Sequence, residues 1–438
     1  MNITDPLVFD SEETFQFKSI AKRTATGYFF HAEKTSTGIE HWIKVNYKKQ
    51  LLSRYESLFT EGNEYAEVLL CMERNILEML QPHPFLPTLS YAMQTTKHTL
   101  LVTDALPGDT LHDLLHLRPE SSLKEGVVQF YMAELLLAVQ HVHARGIVHR
   151  NVSLNSCFIT QAGHLQLMDF GNALKVDLQE TLFKKQIQIP LLTVKASHLP
   201  PEYDDGRCIN YSGDLWAVGA CFFELLTGNK LIISNFLSGG NEESIQKLSM
   251  TAHDLLQQML HDEPAARPSL EEIKSHAFFT GIQWEDALLT KNPLNSSLFD
   301  ATPYRPDPKR FAFAKSYTFS HMCDIMALEN RVPLVSSSSF SFFSSSVFDR
   351  NISESESYFP TWEYISIGMT RLENQIILQR RANMNPIPLL GKIPKASSFD
   401  KLKSYVARQR SSIKRERSKT LKTHPVLNLH QLKTDTSK

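Results

Sequence analysis

Two short motifs near the middle of the chain hold the residues best suited to chemistry. His149-Arg150-Asn151 is followed, eighteen residues after Asn151, by Asp169-Phe170-Gly171. Asp169 offers a carboxylate, whereas the amide of Asn151 cannot take up a proton at neutral pH. Upstream, Lys44 and Glu73 add one cation and one anion. The set therefore combines charged side chains with a position, Asn151, that cannot serve as a general base.

Roughly residues 15–285 resemble the serine/threonine protein kinases, because several motifs of that family recur in its order. His149-Arg150-Asn151 is similar to the catalytic loop, with Asn in place of the catalytic Asp, and Asp169-Phe170-Gly171 is similar to the magnesium loop. The resemblance implies an α+β, bilobal protein-kinase fold with a small β-rich lobe and a helical lobe, followed by a long, mostly disordered tail. Further matches are Lys44 and Glu73 of the phosphate grip, Pro200-Pro201-Glu202 at the end of the activation segment, Asp214 of the central helix, and Arg267, the partner of Glu202.

The end of the domain resembles the AGC group of kinases. His276-Ala277-Phe278-Phe279 followed by Gln283-Trp284-Glu285 carries this likeness, and Asp169-Phe170-Gly171-Asn172-Ala173 is similar to the phosphoinositide-dependent kinase branch. The group continues into a tail that wraps back over the small lobe. Residues 286–335 are therefore the candidate for such a tail, with Phe311–Phe319 as its aromatic anchor.

The resemblance implies that phosphoryl transfer is impaired. Asn151 replaces the catalytic base, a loss that typically costs about 10²–10⁴-fold in rate. Ser153 stands where the family has a lysine that steadies the transferring phosphate, and removing one such group costs about 10²–10³-fold. Ser156 replaces the asparagine that binds the second metal, with Asn155 one position away. Kinases turn over at about 1–100 per second, so any remaining activity is expected to be very slow.

Large aromatic residues stand at the family's adenine-binding positions. Trp42 replaces a small alanine in the roof of the pocket, Phe158 replaces a leucine in its floor, and Phe29 aligns with a second roof position. One interpretation is that these rings fill the pocket and take the place of the nucleotide. The other is that Trp42 turns aside and a nucleotide still enters.

The remaining candidate nucleotide and metal positions follow from the resemblance alone. ATP and magnesium would contact Gly27, Lys44, Glu73, Thr103, Asp104 and Leu106, with Asp169 and the altered Ser156 as metal positions. The loop over the phosphates keeps only Gly27 of three glycines. Lys22 and Arg23 either attract phosphate in their place or are solvated charges at a plain β-turn.

The periodicity of apolar residues predicts elements that fit this fold. Short apolar and aromatic runs predict strands between residues 15 and 105, and Glu64–Leu80 has helical spacing. Ser212–Thr227 is predicted as an apolar helix ended by Gly228, and Ser269-Leu270-Glu271-Glu272 fits a capping box. The predicted divisions are 1–14 as an extension, 15–285 as the domain with lobes 15–105 and 107–285, 286–335 as the tail candidate, and 336–438 as a low-order tail.

Composition narrows the class of protein. The chain has 438 residues, 42% of them hydrophobic, and a net charge of -1, which argues against a chain-wide nucleic-acid or membrane role. Five scattered cysteines fit a reducing compartment, so a cytoplasmic location is expected, with the nucleus as the alternative that a basic import patch in the tail would allow. No secretory signal and no membrane span are expected. Ser336–Ser346 and the basic run Lys401–Lys422 predict a tail of low order. Within that run, Arg408–Lys419 could also be a nuclear-import or anionic-surface patch, and Ser411, Ser412 and Ser418 could be phosphorylated by basic-directed kinases.

Three functional classes remain open from the sequence. The first is a pseudokinase that scaffolds or allosterically regulates a protein partner, such as an active kinase or its substrate. The second is an atypical but active serine/threonine kinase that retains Lys44, Glu73 and Asp169. The third is an adaptor that acts through its tail.

Overall fold

A computed structural model describes residues 15–24, 26–54, 65–95, 97–104, 108–116, 122–160, 162–184, 199–204, 210–232, 247–285, 312–317, 322 and 364–366. All of them belong to one compact unit, Met1–Leu378. Leu106, the N-terminal extension, the serine-rich and basic stretches, and Arg23 beyond its backbone lie outside this description.

Antiparallel strands form the small lobe, and the tail contributes two of them. The sheet order is β10-β1-β2-β3-β5-β4-β11. The strands are β1 (Phe15–Arg23), β2 (Gly27–Lys34), β3 (Glu40–Tyr47), β4 (Leu89–Gln94), β5 (His98–Asp104), β10 (Ala312–Tyr317) and β11 (Tyr364–Ile365).

Alternation along these strands gives the sheet two different faces, because successive side chains point in opposite directions. Tyr28 and Phe30 lie in a buried cluster on the outer face, together with Phe15, Phe17, Ala32, Ile43, Val45, Tyr91, Leu100, Val102 and Met322. Phe29, Trp42 and Lys44 lie on the opposite face, which looks into the cleft between the lobes. The alternation thus directs the candidate site residues towards the helical lobe.

Helices build most of the second lobe and flank the first. In the first lobe they are α1 (Lys48–Arg54), α2 (Tyr65–Leu70) and α3 (Met72–Met79). In the second they are α4 (Leu111–His116), α5 (Glu125–His143), α6 (Val176–Lys184), α7 (Pro201–Asp204), α8 (Tyr211–Thr227), α9 (Met250–Met259) and α10 (Leu270–Ser275). Short strands β6 (Ile147–Val148), β7 (Cys157–Ile159), β8 (Leu165–Leu167) and β9 (Leu174–Lys175) pair as β6-β9 and β7-β8.

The helix ends follow the capping chemistry of the sequence. α8 ends at Gly228, whose φ of 72° is the left-handed conformation that glycine adopts without strain. α10 begins with the predicted capping box, in which Ser269 and Glu272 bond each other's backbone. The helix predicted over Glu64–Leu80 is interrupted at Cys71, which has φ −90° and ψ 0° and separates α2 from α3.

An apolar stack connects the lobes. Leu77 of α3, Leu89 of β4 and Phe170 are buried in the main core, and the His149 ring meets Phe170 edge-on with centroids 4.6 Å apart. With this connection the predicted bilobal α+β fold is confirmed.

Candidate active site

Lys44 is the centre of a buried charge cluster in the cleft. Its Nζ donates to Glu73 Oε1 at 2.6 Å and to Asp169 Oδ1 at 2.8 Å. Register places Lys44 in the centre of the sheet, opposite Phe29 on one side and Leu101 on the other. Glu73 is in the first turn of α3, and Asp169 follows β8. The structure therefore brings together three predicted residues that are far apart in the chain.

The cluster stabilises its own charges. Burial opposes ionisation of Lys44, but Asp169 and Glu73 outweigh it and raise its pKa to about 12. Burial likewise opposes ionisation of Asp169, yet Lys44 and Lys22 lower its pKa to about 2. Lys44 and Asp169 are thus both charged at neutral pH without an added ion.

Asn151 is hydrogen-bonded to the second carboxylate oxygen of Asp169. Its Nδ2 donates to Asp169 Oδ2 at 3.2 Å, and Asn151 is buried. Because Lys44 holds Oδ1, both carboxylate oxygens of Asp169 already have protein donors. The amide thus acts as a donor to Asp169 at the position where the resemblance places a base.

Asp214 holds the backbone of the loop around Asn151. It accepts from His149 N at 2.8 Å, from Arg150 N at 2.9 Å and from His143 Nε2 at 2.9 Å. These bonds support Arg150 in an uncommon conformation with φ 61°, and Asp169 has a similar φ of 67°. Such backbone persists only where the surroundings determine it, so the loop is a rigidly built element.

Ser153 and Ser156 make their hydrogen bonds within this loop rather than in the cleft. Ser156 Oγ accepts from Ser153 N at 2.9 Å and lies 2.9 Å from the carbonyl oxygens of both Asn151 and Ser153. Ser156 is completely buried. Its hydroxyl is therefore committed to backbone groups, which does not suit the role of a metal ligand.

Four apolar side chains pack together at the other end of the cleft. Phe29, Trp42, Phe158 and Met168 form a separate buried cluster, each less than 5% exposed. Trp42 and Phe158 meet edge-on with centroids 5.1 Å apart, and Phe29 lies 6.2 Å from each. These are favourable aromatic geometries. Trp42 therefore does not turn aside. Its packing agrees with the first of the two interpretations drawn from the sequence, in which the rings fill the pocket.

Thr103 and Asp104 lie at the end of β5, next to this aromatic cluster. Thr103 is paired with Trp42 across the strands. Asp104 accepts from Thr88 N at 2.7 Å, while burial raises its pKa to about 6. The carboxylate is therefore used to attach β5 to the segment before β4.

Gly27 has a packing role that requires no phosphate. A Cβ added there would lie 1.8 Å from the Val45 carbonyl oxygen, so only glycine fits between β2 and β3. Thr24 N donates to Gly27 O at 2.7 Å, which joins the end of β1 to the start of β2. Lys22 in the adjacent strand donates its Nζ to Asn155 O at 2.8 Å, a contact that neither interpretation of the charges at this loop included.

The activation-segment pair expected from the sequence is present. Arg267 Nη1 and Nη2 donate to the two oxygens of Glu202 at 2.8 and 2.7 Å, and both residues are buried. Sequence reasoning missed two other contributors to the cleft, Met168 and the contact of Lys22 with Asn155. Met168 immediately precedes Asp169, and this position next to the Asp169-Phe170-Gly171 motif could have indicated that Met168 lies in the cleft.

Among the described residues, none of the helices has the length and apolarity to cross a bilayer. No group of three or more His, Cys, Asp or Glu in the described part is arranged to hold a metal ion.

Comparison with known proteins agrees with this architecture. The protein kinase domain family matches residues 56–279, just over half of the chain. The matched region begins after Gly27, Trp42 and Lys44, so the first three strands lie outside it.

Relatives with the kinase domain come from distant organisms. The RAC family serine/threonine-protein kinase homolog of Dictyostelium discoideum is 29% identical over 292 residues, 64% of this chain and 60% of that protein. 3-phosphoinositide-dependent protein kinase 1 of Arabidopsis thaliana is 25% identical over 338 residues, 72% of this chain and 65% of that protein. Citron Rho-interacting kinase of Homo sapiens is 29% identical over 328 residues, 70% of this chain and 15% of that protein. The chain thus spans less than two thirds of each of these relatives.

Proposed function

The chain belongs to the protein kinase family, with likeness to AGC serine/threonine kinases, and on that premise we propose that it is a catalytically impaired member. As a pseudokinase it would scaffold or allosterically regulate a protein partner in intracellular signalling. The family in general uses ATP and magnesium, and its members act on or with proteins. This chain would retain the family's fold while having lost most of that chemistry.

The observation that carries the proposal is the buried aromatic cluster. Phe29, Trp42, Phe158 and Met168 contact one another in the volume between roof and floor, where the family resemblance places adenine. A nucleotide base could enter only after Trp42 and Phe158 separated, which would expose apolar surface that is now buried. Burying such side chains contributes about 1.5–3 kcal/mol each, so separation opposes binding.

The polar end of the cleft fits ATP and magnesium only in part. Lys44, Glu73 and Asp169 have the right chemical types, but both oxygens of Asp169 are held by Lys44 and Asn151. Ser156 bonds its own loop. A metal would have to displace protein donors from Asp169 and would gain no ligand at Ser156.

A second candidate is an atypical active serine/threonine kinase. The observation in its favour is the assembled Lys44–Glu73–Asp169 cluster together with the continuous stack through Phe170. Activity would then require proton transfer without a base at Asn151.

Phosphotransfer from labelled ATP by the full chain tests the two against each other. Lys44→Ala and Asp169→Ala are the controls, because each removes a charge that any transfer through this cleft would use. We expect no incorporation above these controls, and no heat of ATP binding at micromolar concentration in the presence of magnesium. Incorporation that both substitutions abolish would overturn the pseudokinase proposal and establish the second candidate.

Binding of a protein partner requires a separate test, and the fold determines where the chain can be truncated for it. A chain cut after residue 285 would lose β10, β11 and Met322, which belong to the small-lobe sheet and its outer cluster. Residues 1–366 keep them. We expect this shorter chain to retain any partner that co-purifies with the full chain. Loss of the partner on removing 367–438 alone would favour the tail-driven adaptor.

The predicted domain divisions and the cytoplasmic, also nuclear, location are part of the same proposal. The free, buried Cys157 and Cys221 support a reducing compartment. Imaging of a fluorescent fusion would test this location.

A further inference from the structure

Lys22 joins the small lobe directly to the catalytic loop region. It is the penultimate residue of β1, and its Nζ donates to the carbonyl oxygen of Asn155 at 2.8 Å. The two residues are 133 positions apart in the chain. Lys22 is half-buried, while Asn155 is exposed and contributes its backbone carbonyl. The bond therefore spans the mouth of the cleft.

A β-bulge directs Lys22 into the cleft. Ile20 is paired with Phe30, whereas Lys22 is paired with Phe29, so the register of β1 against β2 shifts by one residue between them. Ile20 packs against the outer cluster, and regular alternation would have placed Lys22 on that same outer face. The extra residue turns the strand, so Lys22 shares the cleft face with Phe29.

The charge of Lys22 complements the buried cluster that it faces. Burial lowers the pKa of Lys22, but Asp169 counteracts this effect, and Lys22 in turn helps to lower the pKa of Asp169. Asp169 thus lies within electrostatic range of both Lys22 and Lys44, while Asn151 beside it is neutral. A cation fixed to β1 provides positive charge that does not depend on a diffusible ion.

We infer that Lys22 is an interlobe strap, a built-in cation that holds the small lobe closed on the loop at Asn155 without a nucleotide. This inference rests on the proposed function, because a bound nucleotide spanning the cleft would otherwise tie the lobes together. The aromatic cluster closes the inner end of the cleft, and Lys22 closes its mouth. The closed form is then the resting state of the protein that a partner would meet.

Hydrogen exchange of the full chain, read by mass spectrometry, tests the strap. Lys22→Met keeps the length and apolar stem of the side chain but removes the ammonium. We expect exchange in residues 151–157 and in β1 to accelerate by about tenfold, the effect of losing one hydrogen bond to a charged group. Lys22→Arg, which retains donors and charge, should restore most of the protection.

Lys18→Met is the matched control on the same strand. Lys18 bonds Glu33 and Glu40, which both belong to the small-lobe sheet, so exchange at 151–157 should not change. Unchanged exchange at 151–157 in Lys22→Met would overturn the strap. An equal acceleration in Lys18→Met would also overturn it, because the effect would then belong to β1 as a whole.

Adding ATP and magnesium to the wild type separates this inference from the proposed function. Without ATP binding, unchanged exchange in Lys22→Met overturns the strap alone and leaves the pseudokinase proposal standing. With ATP binding, accelerated exchange in nucleotide-free Lys22→Met supports the strap, although the filled-cleft argument fails.

Discussion

Asn151 Nδ2 donates a hydrogen bond to Asp169 Oδ2 across 3.2 Å. Asn151, which replaces the catalytic Asp of the family, therefore contributes a hydrogen bond to the folded structure. Because Lys44 binds the other oxygen, Asp169 is satisfied entirely by protein groups. An aspartate at position 151 would place two carboxylates in contact, which raises the pKa of one of them or demands a cation.

Asn151→Asp should accordingly lower the free energy of unfolding by about 1–3 kcal/mol at pH 7, since it removes a donor from a buried carboxylate and adds like charge. Urea unfolding of the purified chain measures this. Asn155→Asp is the control, because the side chain at that position is exposed. Equal stability of Asn151→Asp and wild type would show that the Asn151–Asp169 bond contributes nothing.

Trp42→Ala combined with Phe158→Leu should open the inner end of the cleft. Large-to-small core changes of this kind cost about 3–5 kcal/mol for a tryptophan, so the melting temperature should fall. ATP should then bind measurably by calorimetry, because the volume lined by Phe29 and Met168 becomes accessible.

Phe30→Leu serves as the control for this double variant. Phe30 is buried on the opposite face of β2, so its loss should reduce stability without creating nucleotide affinity. If the double variant is destabilised but still does not bind ATP, the aromatic cluster is not what excludes the nucleotide.

Met322→Ala should destabilise the small lobe although Met322 lies far beyond the kinase-like region in sequence. Met322 is fully buried in the outer cluster, and a buried Met→Ala change costs about 2–5 kcal/mol. Met250→Ala is a well-matched control, since Met250 is 89% exposed. Comparable urea midpoints for the two variants would contradict the place of Met322 in the core.

Asp104 should give stability a pH dependence of defined sign. Its folded-state pKa of about 6 lies above the ordinary value of about 3.9, because burial disfavours the charged carboxylate. The stability gained from its protonation is therefore complete below pH ~4 and is lost as pH rises to about 6. Asp104→Asn keeps an oxygen acceptor for Thr88 N.

The difference in melting temperature between Asp104→Asn and wild type should thus shift in favour of the variant between pH 4 and 6.5. Glu180→Gln, at an exposed position of α6, should show no such shift. A constant difference across this pH range would contradict the raised pKa of Asp104.

Local pattern predicted much of this fold. Short apolar and aromatic runs identified the strands that carry Trp42 and Lys44, and capping chemistry located the start of α10 and the end of α8. The order of the motifs correctly predicted that Lys44, Glu73 and Asp169 meet in the cleft, where Lys44 bonds both carboxylates. The filled cleft was one of two interpretations, and the packing of Trp42 on Phe158 supports it, while exclusion of the nucleotide stays a prediction.

Contacts set by long-range register were not predictable in the same way. Lys22 faces the cleft only because β1 carries a bulge, and no local residue pattern specifies that extra residue. The tail candidate included Phe311–Phe319, but pairing of β10 with β1 and the burial of Met322 depend on where a distant segment docks.

The ribosome synthesises the two tail strands, β10 and β11, long after the strands with which they pair. β1 begins at residue 15, whereas β10 begins at residue 312 and β11 at residue 364. At about 5–20 residues per second, translation separates β1 from β10 by about 15–60 seconds. Throughout that interval β1 and β4 have not yet received β10 and β11, and unpaired strand edges invite association with other chains. The nascent small lobe is therefore the stage at which this protein most needs a chaperone.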